Sequence, residues 1–293
     1  MKFGNVLRWF VVLTLTFSGM QAHAYDWPLS GNTVNTTFGT PENGYFLPGI
    51  RISSHTENVV AMGGGEYKYS QEARDPSSIM PTPLGTMLSI MHSEGMEAVY
   101  ACLDRLTTGM QKGKIMPGAM IGTTGITGWA PGKGMLFCVF DNKTARWINP
   151  LLILPARING AAPAIISACL ADSVGETVLG KADSIQQGAY TISVEIRDIQ
   201  GGEDYSGPSA PYEVFLTVDG KEISRKTFDI LLWKDGARRL FGREMITRKD
   251  VLDKNGRYIL ADVFLPRGKT TIGITAVNSA GHRKKMEWTV AVR

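Results

Sequence analysis

The stretch AYTISVEIRD, residues 189–198, decides the class of fold. Tyr190, Ile192, Val194 and Ile196 fall on one side of an extended chain, and Thr191, Ser193, Glu195 and Arg197 on the other. That period of two is the mark of a strand with one face buried. Working outward, YEVFLTV repeats it with Tyr212, Val214, Leu216 and Val218 inward, and an Asp219-Gly220 turn leads into KEISRKTF. RYILADVFL, TTIGITAV and KMEWTVAV follow, separated by Pro266-Arg267-Gly268 and by Asn278-Ser279-Ala280-Gly281. Strands and turn signals at this spacing predict an antiparallel β-sandwich of immunoglobulin-like type over residues 159–293.

Upstream the texture differs. Residues 25–158 form short apolar stretches cut by Gly and Pro: TMLSIMH, EAVYACL, GKIMPGAMIG, KGMLFCVF, ARWINPLLILP. These predict short strands and tight turns with little helix. The chain is therefore expected to be all-β in two domains, with a boundary in ARINGAAPA, residues 156–164. Its 33 glycines and 14 prolines suit a turn-rich fold.

Residues 1–24 carry Lys2 and Arg8, an apolar run and a small-x-small end at Ala22-His23-Ala24, the pattern of a secretory signal cut after Ala24. The apolar run is too short to cross a bilayer, nothing later approaches ~20 consecutive apolar residues, and no Cys follows the cut to carry a lipid. The expected location is periplasmic or extracellular. Removing the signal lowers Lys+Arg from 31 to 29 against 27 Asp+Glu. A net charge of about +2 is not that of a nucleic-acid binder. Cys102, Cys138 and Cys169 are odd in number and match no zinc module, so they read as buried thiols with at least one unpaired.

Two loops in the second half stand out. Residues 199–211, IQGGEDYSGPSAP, read as a solvated loop in preference to a weak calcium site. Residues 234–250, KDGARRLFGREMITRKD, interrupt the strand pattern and read as a lid or short helix over the sandwich edge, their charges a solvated face.

Taken in order, DWPLSG, TTFG, LPGIRIS, LGTMLSIMHSEGMEAVYACL, GKIMPGAMIGTTGITG, GMLFCVF and INPLLILP resemble the lysostaphin/LytM-type zinc endopeptidases, which cleave peptide crosslinks of bacterial peptidoglycan. The resemblance covers about residues 26–155 and implies the duplicated hybrid motif of that family. A catalytic zinc takes about three protein ligands and activates a water in the open position. The family supplies a His and an Asp from His-x-Gly-x-Asp and the second His of a His-x-His strand, with two further catalytic histidines. By that resemblance the first ligand position is Leu47, the glycine is kept as Gly49, and the Asp position is Arg51. YACL puts Cys102 at a catalytic position, and MLF puts Met135 and Phe137 at the remaining catalytic and ligand positions. Leu has no donor atom, and Arg is a permanent cation where a divalent cation belongs.

The resemblance thus implies a pseudoenzyme with no metal and no cofactor. Gly122, Gly125 and Gly128 suggest a phosphate loop only superficially, since no Lys-Ser/Thr follows. In the family this turn leads to the loop beside the substrate groove, which here contains Trp129 and Lys133. With Arg51 and His92 these are the candidate groove residues, Arg51 as the contact for a partner carboxylate or else paired with a local acid. For His92 a satisfied structural histidine is the better reading. The expected role is an exported non-catalytic module binding peptidoglycan, a cell-wall hydrolase or another envelope protein. The alternatives are an active endopeptidase with unusual ligands or a Cys102 nucleophile, and an adhesive protein acting through the sandwich.

Overall fold

A computed structural model describes residues 25–293 apart from 32, 43, 74–81, 108, 110–112, 157–160, 199–208 and 242–244. The signal sequence, most of the 199–211 loop and the middle of the expected domain boundary lie outside the described residues. Among those described, strands dominate and the one α-helix, Arg248–Val251, is a single turn. Among the described residues no helix is long and apolar enough to cross a membrane.

The alternation in the second half becomes two sheets. One runs Glu176–Val178, Ala164–Ala171, Gly188–Arg197, Tyr258–Leu265; the other runs Ser184–Ile185, Arg283–Val292, Gly268–Val277, Glu213–Val218, Lys221–Thr227. Pairing is antiparallel except where Ser184–Ile185 lies parallel to the last strand. Ile192, Val194 and Ile196 of the first sheet share a buried cluster with Leu216, Ile272, Ile274 and Val290 of the second. Two sheets, each apolar on one face, have hidden those faces against each other.

The first half is built on a larger sheet. Its central strands, Met135–Asp141, Met96–Leu106, Thr86–His92 and Gly65–Gln71, are neighbours in that order, and Gly49–Ser53 pairs with the first of them. Tyr100 and Phe137 anchor the core, their rings 5.2 Å apart, and the Tyr100 hydroxyl accepts a 2.9 Å hydrogen bond from the Met62 amide.

This sheet does not stop at the first half. Arg146–Ile148 pairs with Ile230–Lys234, which turns back as Ala237–Phe241 and then pairs with Met245–Ile246. The segment 234–250 thus begins as a hairpin extending the first sheet, not as a lid, and ends in the short helix Arg248–Val251, which packs on the sandwich strand Tyr258–Leu265 as the expectation of a short helix had it. The turn is Asp235-Gly236 with φ of 50° and 73°, both positive as a two-residue hairpin turn of matching twist requires. Buried Asn149 ties the junction: its amide donates to the Asp229 carbonyl and its side chain to the Phe228 carbonyl, each at 2.8 Å. Nearby, Thr37 donates to the Ala210 carbonyl at 2.7 Å, and Thr40 accepts from the Ala210 amide at 3.0 Å. The sheets therefore do not divide where the sequence texture changes.

Candidate functional site

The five positions matched to the family's metal and catalytic residues come from Gly49–Ser53, the loop before it, and the strands Met96–Leu106 and Met135–Asp141. In the antiparallel pairing Ile50 stands opposite Phe137, Arg51 opposite Leu136 and Ile52 opposite Met135. Successive side chains leave opposite faces of a sheet. Ile50, Ile52, Met135 and Phe137 accordingly enter the main core, whereas Leu136 and Cys138 lie on the other face with Leu47, Met87, Val99, Ala101 and Cys102. By this parity Phe137 faces the main core, while Met135, also part of that core, borders the small cavity that Arg51 and Cys102 line. The groove-side residues of their strand are Leu136 and Cys138.

Two backbone features shape this face. A Cβ on Gly49 would lie 2.2 Å from the Phe137 carbonyl oxygen and 2.5 Å from Cys138 Sγ, so only glycine lets the two strands approach. In Met96–Leu106 the register against Thr86–His92 slips between Tyr100 and Leu103, and Cys102 takes φ of 62°. The Cys102 amide donates to the Leu84 carbonyl at 2.7 Å. This bulge turns both Ala101 and Cys102 toward the groove face while Tyr100 and Leu103 stay in the main core.

Arg51, a candidate contact for a partner carboxylate, already has one of its own. Its Nη2 donates to Glu42 Oε2 at 3.0 Å and its Nε to both Glu42 oxygens at 3.4 Å. The side chains are 13% and 25% exposed. Burial works against the guanidinium charge, but the hydrogen bonds and charge of Glu42 outweigh it and raise the pKa of Arg51 further. A half-desolvated cation needs an anion, and the Pro41–Glu42 strand, hairpin partner of Tyr45–Phe46, brings it.

Zinc does not fit these side chains. Leu47 and Leu136 have no donor atoms, and the Arg51 cation shares their face. Cys102 is poorly placed as a nucleophile. Burial pushes its thiol up, and the Arg51 charge and hydrogen bond offset this only in part. Cys138 is driven up to about 12 by burial. Both thiols are protonated at neutral pH.

His92 lies elsewhere. Its strand-mates Leu88 and Ile90 point into the main core and it follows them, 4% exposed. Nδ1 makes a 2.9 Å hydrogen bond with the Gly64 carbonyl, and Tyr25 meets the ring edge-on at 5.5 Å. Burial lowers its pKa. Its place among the groove candidates is corrected: it is a core histidine. Lys133 pairs with Glu57 at the surface and borders a small cavity of about 110 Å³ with Arg51 and Cys102.

The larger groove, about 320 Å³, has Leu47, Leu84 and Leu136 among its lining residues, with Trp129, Trp233, Tyr45, Arg51, Glu42 and Arg238 around them. Of the four groove candidates it contains Arg51 and Trp129. Sequence reasoning missed Glu42, Tyr45, Trp233 and Arg238. The Asp235-Gly236 dipeptide between LLW and ARRLF was the available signal for the last two, being the same hairpin mark as Asp219-Gly220.

A protein-family model matches residues 162–293, the stretch that holds the two sandwich sheets. No curated protein sequence matches the chain. Among solved structures, the SpoIIQ-SpoIIIAH pore-forming complex contains a chain 17% identical, with 46% of this chain and 94% of that one covered at a TM-score of 0.38. The catalytic domain of EnpA, a prophage-encoded protein from Enterococcus faecalis, is 20% identical over 43% of this chain and 95% of its own, TM-score 0.36. Lysostaphin in solution is 12% identical over 84% of this chain and all of its own, TM-score 0.37. At such scores what the groove does is a question for its own residues.

Proposed function

We propose that the chain is an exported, non-catalytic binding module of the bacterial cell envelope, a LytM-like unit joined to an immunoglobulin-like sandwich. Its partner is peptidoglycan or a peptidoglycan hydrolase, engaged through the groove where an active relative would hold its substrate. One observation carries this reading. Leu47, Arg51, Cys102 and Leu136 meet on a single face, and none of them offers a free metal ligand or a base there. Around that inert floor the rim keeps three large rings in water: Tyr45, Trp129 and Trp233 are 54%, 66% and 61% exposed. Exposed aromatics gathered at one concave place are a recognition feature.

The test incubates the purified secreted chain with dye-labelled sacculi and zinc, with and without an amidase from the same organism. The expected result is no dye release by the chain alone, together with co-sedimentation or an increase in amidase-dependent release. Dye released by the chain alone overturns the reading, and so does the absence of both binding and stimulation.

A further inference from the structure

The outer wall of the groove comes from far along the chain. Trp233 and Arg238 stand directly opposite one another in the hairpin, so their side chains leave it on the same face, and both line the groove. Because Ile230–Lys234 is itself paired to Arg146–Ile148, this wall is fixed to the same sheet as the floor. A site set on paired strands spends little on ordering when it binds.

The polar groups around the groove are mostly engaged. Glu42 and Arg51 hold each other. The Pro83 carbonyl accepts from the Trp129 amide at 2.8 Å and the Leu84 carbonyl from Cys102. Of the charged groups in the lining, Arg238 is the exception. Among the described residues its guanidinium makes one hydrogen bond, from Nη1 to the Phe46 carbonyl at 3.3 Å, and no carboxylate pairs with it. The groove therefore offers an occupant a guanidinium with spare donors, aromatic faces and a leucine floor. Guanidinium forks match carboxylates. The leucine floor favours an occupant that carries an apolar side chain next to its carboxylate, which an acidic peptide supplies and a neutral glycan does not. The volume lies near the lower end of ligand pockets, about 300–1,000 Å³, enough for a short stretch of peptide and not a whole domain.

We propose that this groove holds an extended acidic peptide segment of a partner protein, its Asp or Glu carboxylate on Arg238 and a neighbouring apolar side chain against Trp129 and Trp233. The inference rests on the reading of the groove as a docking surface and adds the chemistry of the occupant. The hairpin wall, and not the Arg51 floor, sets the selectivity.

Random dodecapeptides displayed on phage are selected on the full secreted chain and on its Arg238→Glu, Arg238→Gln and Trp233→Ala variants, each checked for an unchanged melting transition. The intact chain is expected to recover peptides with Asp or Glu beside Leu, Phe or Trp. A synthetic copy of the best one should bind about tenfold or more weakly to Arg238→Gln and to Trp233→Ala. Arg238→Glu should recover peptides bearing Lys or Arg instead. If a variant loses its fold, the remaining two decide. Peptides without acids, acidic peptides indifferent to all three changes, or no recovered peptide overturn the proposal. The docking reading fails separately: sacculus binding and amidase stimulation that both survive Trp233→Ala and Arg238→Glu place the docking surface elsewhere.

Discussion

Glu42→Gln isolates the Arg51 ion pair beside the groove. The substitution keeps the shape of the side chain and removes its charge, leaving the Arg51 guanidinium 13% exposed without an anion. Breaking a buried pair costs about 3–5 kcal/mol, and an exposed pair contributes about 0.2–1 kcal/mol. With Glu42 25% exposed and only one of three contacts as short as 3.0 Å, the cost falls between these, about 2 kcal/mol. For a chain of this size each kcal/mol moves the melting temperature by about 2–4 °C, so Glu42→Gln should melt roughly 4–8 °C lower. The double variant Glu42→Leu with Arg51→Met should regain most of that loss, because two apolar side chains of similar volume need no partner. Urea denaturation and thermal melts of both variants make the measurement. Glu42→Gln within about 0.5 kcal/mol of the parent, or a double variant weaker than the single one, would refute the claim that Arg51 is held internally.

Gly49→Ala puts a methyl group into the Phe137 carbonyl and the Cys138 sulfur. It should destabilise by at least about 2 kcal/mol in denaturant titration, and parent-like stability would rule out the close strand approach. His92 should make stability depend on pH. Its folded pKa lies below the ordinary value of 6.5 because burial penalises the imidazolium, so the unfolded chain takes up a proton that the folded chain refuses. This contribution is complete above about pH 6.5 and declines as the pH falls from there to the folded pKa. Chemical denaturation at several pH values should give a flatter profile for His92→Phe in that window. Parallel profiles would place a titrating imidazole in the folded chain.

Much of the sandwich was legible because strand alternation and two-residue turns are local. Val214 and Leu216 are buried, and Asp219-Gly220 turns between strands paired from Val218 to Lys221. The side-chain chemistry of Leu47, Arg51 and Cys102 was equally plain, since what an atom can ligate depends on its own identity. Three matters were not legible. GMLFCVF is apolar nearly throughout, so it has no alternation from which to tell groove face from core face. Only its pairing with Gly49–Ser53 settled that Leu136, and not Phe137, faces the groove. The anion for Arg51 came from a neighbouring hairpin, and a sequence offers many equivalent acids.

The joining of Ile230–Lys234 to Arg146–Ile148 was the least foreseeable, because strands far apart in the chain are matched by the sheet edge left open once the rest has folded. By itself the sequence determined that this protein is made of strands and that Leu47 and Arg51 offer no metal-ligating atom, both consequences of covalent identity and short-range backbone sterics. The tertiary structure alone decided which residues share the groove and that the second half of the chain supplies its outer wall, because those outcomes depend on long-range pairing.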